Sequence, residues 1–209
     1  MMGRTEELIT RLASEGAVPR GNMPQHFLLP LALVSAVCIG ATALLLDNAF
    51  PTYHLRGWMP MVVKWGFSIS LLLIASAALL LLGKPGRPSG WMLAALALPF
   101  AYTAYFVLPD LVLRTHPWPG EMWERCLLAM GIMSPIGFAG AIMAMRWLAP
   151  TNLRRAGLVA GFFGGAVAMT AYAPFCPGEG AVYLLAFYFA PIFAMAGIGW
   201  LAGPRLLRW

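Results

Sequence analysis

Six apolar runs divide the chain, at 27–46, 62–82, 91–108, 126–148, 157–175 and 182–202. No other feature constrains the fold as strongly. A helix needs roughly 20 apolar residues to cross the hydrocarbon core of a bilayer. Inside lipid every backbone N–H and C=O must be satisfied within the chain, so runs of this length are read as helices. The pattern predicts an all-α, polytopic membrane protein, a bundle of six transmembrane helices. Composition agrees. Of 209 residues, 60% are hydrophobic and 11% charged, against about 45–50% apolar and about 25% charged in a soluble globular chain. The connecting segments are too short to bury a core of their own. Residues 1–25 therefore read as a polar tail and 26–209 as the membrane domain. The tail lacks the ordered regions of a cleavable signal peptide.

The net charge of +6 is first a topology signal. With the N-terminus inside, the inner segments hold Arg4, Arg11, Arg20, Lys84, Arg87, Arg146, Arg154, Arg155, Arg205 and Arg208. The opposite side holds Arg56, Lys64, Arg114 and Arg125, together with Asp47, Asp110, Glu121, Glu124 and Glu179. Ten cations against four orient both termini toward the cytoplasm of a bacterial inner membrane. Trp58, Trp65, Trp118 and Trp123 suit interfacial positions. Pro99, Pro135 and Pro191 are expected to kink spans three, four and six. Gly131, Gly137 and Gly140 in span four, with Gly161, Gly164 and Gly165 in span five, present small faces. Such faces serve ordinary bundle packing or one specific close pair.

The tail carries the one soluble-looking element. Thr5 suits an N-cap, Glu6 and Glu7 a first turn, and Gly16 a helix stop. Leu8, Ile9, Leu12 and Ala13 form an apolar stripe at helical spacing. So short a helix is marginal alone. Its balanced charge and narrow stripe favour a protein partner over a membrane surface.

Ionisable groups inside a bilayer mark transport or catalytic sites. Apart from Arg146 near the inner end of span four, only Lys64 lies within a run, a few residues from its outer end, where it either snorkels or makes a specific contact. His26, His54 and His116 lie at span ends or in loops and show no i, i+3 or i+4 pairing. HExxH, GxSxG and Walker motifs do not occur, so neither an enzyme nor a cofactor is expected. The cysteines carry the remaining signal. Cys126 opens span four and Cys176 closes span five. A short loop makes these spans antiparallel neighbours, so both cysteines reach the same outer boundary, on the oxidising side. They are read either as a structural disulfide or as a thiol pair responsive to oxidant or metal. Cys38, mid-span, is read as packing.

The motif TEELITRLA, the FCP stretch at Cys176 followed by YLLAFYFAPI, and the ending LAGPRLLRW resemble the NrsF family across essentially the whole chain. That family consists of six-span inner-membrane negative regulators of an extracytoplasmic-function sigma factor, sigma F. The resemblance implies a membrane-bound anti-sigma factor that holds its sigma factor at the cytoplasmic face and contacts no nucleic acid directly. Release would follow a periplasmic oxidant or heavy metal sensed by Cys126 and Cys176. Sigma binding is expected through Leu8, Ile9 and Leu12, aided by basic loops around 84–87 and 154–155. Family members often carry His before the CP pair; here Phe175 stands there. Two other classes are compatible with six spans, a membrane redox or disulfide-exchange protein and a small-molecule transporter. Neither accounts for the amphipathic tail.

Overall fold

The computed structural model describes residues 6–7, 9–11, 14, 23–47, 49, 57–84, 90–113, 122–148, 150–177 and 180–208. The described residues are all-α, and among them six helices are long and apolar enough to cross a membrane. We label them α1 (Met23–Leu45), α2 (Met59–Leu82), α3 (Gly90–Ala95 and Ala97–Leu113), α4 (Trp123–Arg146), α5 (Leu153–Tyr172) and α6 (Ala181–Leu184, Leu185–Phe189 and Ala190–Leu206). Within the tail, Glu6, Glu7, Ile9, Thr10, Arg11 and Ser14 are helical and exposed. Leu8 and Leu12, on which an amphipathic stripe depends, lie outside the described residues.

The prolines act differently from one another. Pro99 has no N–H to bond the Ala95 carbonyl, and α3 is interrupted at Leu96. By contrast α4 continues through Pro135. Likewise α3 continues through Pro109 to Leu113, beyond the end expected at 108. In α6 the residues just before Pro191 form a widened π-helical turn, Leu185–Phe189.

The helix at the centre is α5. It packs most extensively on α6 and α4, then on α2 and α1. Of its apolar window 89% is buried, against 17–44% for the other helices. Lipid offers no hydrophobic drive for helix association, so close backbone approach must supply it. Glycine permits that approach here. A Cβ on Gly157 would strike the backbone of Gly199 and Gly203. One on Gly161 would strike the backbone of Met195 and Ala196. Gly137 and Gly164 join α4 to α5 in the same way. Gly140 instead faces Val34 of α1, and Gly131 has nothing within 4 Å. The peripheral α3 is held by rings: Phe100 lies 5.1 Å from Phe67, 5.2 Å from Phe189 and 4.9 Å from Phe193.

Candidate functional site

At one end of the bundle the start of α4, the exit from α5 and the start of α6 converge. After α5 a 3-10 turn, Ala173–Phe175, begins with Pro174 in its first positions. Cys176 leaves this turn in an extended conformation. Cys126 lies in the first turn of α4, whose N-cap Met122 adopts a left-handed conformation. Both cysteines are free thiols and almost wholly buried. The two side chains lie close enough to interact.

The surroundings are specific. Lys64 is only 3% exposed and donates from Nζ to the Cys176 carbonyl at 2.9 Å. Of the two sequence readings for this lysine, the structure supports the specific contact rather than snorkelling. The buried cation fixes the backbone of the cysteine itself. On the other side the Tyr183 hydroxyl meets Cys176 Sγ at 3.3 Å. Cys126 Sγ donates to the Phe187 carbonyl at 3.8 Å. Pro191 explains that carbonyl's position. It has no N–H to return to Phe187 in an ordinary helical turn, and the widened turn presents the Phe187 oxygen to the thiol. The same turn buries three consecutive residues, Phe187, Tyr188 and Phe189, more than one face of a regular α-helix would bury. Tyr188 is fully buried, and its hydroxyl has no hydrogen-bond partner among the described residues. Rings close the enclosure: Phe187 lies 5.7 Å from Trp123 and 4.8 Å from Tyr183.

Cys176, one residue beyond the membrane-spanning stretch of α5, has its thiol held below the ordinary value. The chief cause is its hydrogen bond with Cys126. Burial opposes the shift, while the Lys64 charge and the Tyr183 hydroxyl reinforce it. Chemically, two adjacent thiols with one inclined to ionise can close to a disulfide or share a soft cation. Among the described residues no group of three or more His, Cys, Asp or Glu converges; Glu179, close in sequence, is outside them.

The structure therefore brings Cys126 and Cys176 together. Ile9, of the expected sigma-binding trio, is described and 60% exposed, while Leu8 and Leu12 lie outside. Sequence reasoning missed Tyr183, Tyr188 and the Phe187 carbonyl. The available signal was a pair of tyrosines in the first part of an apolar run, with Phe187 four residues ahead of Pro191.

Comparison with known proteins gives concordant results. The family model described as "Negative regulator of sigma F", NrsF, matches residues 12–209. A "Probable anti-sigma-F factor NrsF" of Azospira oryzae is 35% identical over 216 residues, covering 99% of this chain and 100% of that protein. An "Anti-sigma-F factor NrsF" of Caulobacter vibrioides is 29% identical over 228 residues, with 99% and 100% coverage. No solved structure matches.

Proposed function

The chain belongs to the NrsF family of anti-sigma-F factors, and from that premise we propose how it retains its partner and what releases it. It is a negative regulator rather than an enzyme, and by its helices a multi-pass membrane protein. In our reading it resides in the bacterial inner membrane with both termini in the cytoplasm. The partner is a sigma factor of the extracytoplasmic-function type, held at the cytoplasmic face. Residues 1–25 supply the sigma-binding tail through Leu8, Ile9 and Leu12, and 26–209 form the membrane domain. Cys126 and Cys176 are the sensor. A two-electron oxidant such as peroxide takes two electrons and two protons from the thiols, leaving one S–S bond and two waters. A soft metal cation would instead displace the two thiol protons and bridge the sulfurs.

The observation that carries this reading is the adjacency of the two buried thiols, contributed by helices whose contact is backbone to backbone. The decisive measurement is co-purification of sigma F with the full-length membrane protein before and after oxidant or metal. Cys126→Ser/Cys176→Ser should retain sigma F under all three conditions. Release from that variant at the normal dose would remove the cysteines from the sensing role.

A further inference from the structure

The end of the bundle opposite the thiols is strongly basic. Arg154 and Arg155 lie in the first turn of α5, where no acid is present. Two cations there oppose the helix dipole instead of complementing it. Arg146 in the last turn of α4 donates from Nε to the Leu206 carbonyl at 3.2 Å, which ties the ends of α4 and α6 together. Arg205 and Arg208 follow at the end of α6, and Lys84 lies just past α2. All six side chains are exposed. The acids of the membrane domain whose side chains are described, Asp47 and Glu124, belong to the thiol end. This end therefore carries a cluster of positive charge with no acid of the described bundle to balance it.

Basic residues at the rim of a membrane bundle answer to lipid phosphates and topology. Arg154 and Arg155 belong to a different position. They sit on the central helix, which α6, α4, α2 and α1 surround. Headgroups reach the perimeter of the bundle, whereas the end of its central helix meets water. Arg154 is also held in place, its guanidinium 4.8 Å over the Trp200 ring. A cation held at the end of the central helix suits a partner that approaches from the aqueous phase and presents carboxylates.

We propose that this face, centred on Arg154 and Arg155 and flanked by Arg146 and Arg205, docks an acidic surface of the sigma factor. The proposal rests on the reading above that sigma F is held at this end. It adds a second contact to the tail, made by the one helix whose other end leads to Cys176. Tail and basic face then act as two linked contacts, so that loosening one weakens the whole complex.

The test uses full-length protein in nanodiscs of neutral phosphatidylcholine, with and without anionic phosphatidylglycerol, titrated with purified sigma F. Arg154→Gln/Arg155→Gln should weaken binding about tenfold at low salt in both lipids and flatten its salt dependence. Arg154→Lys/Arg155→Lys, which keeps the charge, should stay within about threefold of the parent. Unchanged affinity in the glutamine pair overturns the proposal. A loss confined to the anionic nanodiscs also overturns it, by assigning the arginines to lipid. Leu8→Asp/Leu12→Asp separates the two ideas. If it abolishes binding while the glutamine pair does nothing, the tail reading stands and the basic face falls. If neither variant matters, sigma F is not held at this end at all.

Discussion

Alanine at Gly161 and alanine at Gly131 should have opposite effects on stability, though both glycines sit in apolar helices and look alike in the sequence. The intrinsic term favours alanine at each, by up to about 1 kcal/mol in a helix interior. At Gly131 nothing lies within 4 Å of the added Cβ, so that gain should survive as a few tenths to about 1 kcal/mol. At Gly161 the new Cβ meets the backbone of Met195 and Ala196 on α6. Backbone cannot rotate away as a flexible side chain can, so the two helices must separate. Overpacking of this kind costs about 1–3 kcal/mol, which exceeds the propensity gain. Separation also loosens Gly157 against Gly199 and Gly165 against Ile192, in the same seam. Unfolding by SDS titration from mixed micelles would measure both variants against the parent. Equal shifts, or a more stable Gly161→Ala, would refute the claim that α5 and α6 meet backbone to backbone.

Two further predictions concern the thiol end. Lys64→Met keeps an apolar stem but removes the charge that helps hold the Cys176 thiol low. The thiol should move back up, so at a pH below its midpoint less thiolate is present and alkylation of Cys176 slows there by roughly tenfold. A pH–rate profile with a small alkylating reagent would read this as a midpoint displaced to higher pH, and an unmoved midpoint would count against Lys64. Pro191→Ala restores an N–H that can bond the Phe187 carbonyl in an ordinary turn, in competition with the Cys126 thiol. The S–H stretch of Cys126 in infrared spectra should then rise toward that of a free thiol. An unchanged band would mean that the proline does not govern that contact.

The six spans were legible because lipid imposes a length and a composition on each crossing. That Cys126 and Cys176 stand at neighbouring helix ends was legible for a related reason: the short loop at the other end of spans four and five makes them antiparallel neighbours. What lies between those ends was not. Lys64 read first as a snorkelling residue, because sequence gives its depth and not the direction in which α2 faces. The glycines of spans four and five stood out, but not their partners. Gly157, Gly199 and Gly203 form the tightest seam, and Gly131, which sequence groups with Gly137 and Gly140, faces open space. The prolines make the same point. Each removes one hydrogen bond, yet only packing decides whether the result is a break at Leu96, a continuous α4, or a widened turn in α6.

Any influence of the thiols on the arginine end must be mechanical. Twenty residues of α5, at about 1.5 Å each, separate the two ends by about 30 Å. Coulomb interaction falls with distance, and Arg154 is exposed to water, so a change of charge at Cys176 would be felt only weakly at Arg154. Side-chain contacts would absorb a small displacement through rotamer changes, but a seam of glycine against backbone has no rotamers to adjust. Movement at the π-turn of α6, where Cys126 engages the Phe187 carbonyl, would pass along the Gly157–Gly199 seam to the first turn of α5. A differential of about 3 kcal/mol between two such arrangements would change sigma affinity roughly 150-fold. The partner responds only to the extent that it distinguishes the arrangements. A disulfide that formed fully yet left α5 and α6 in register would leave retention unchanged.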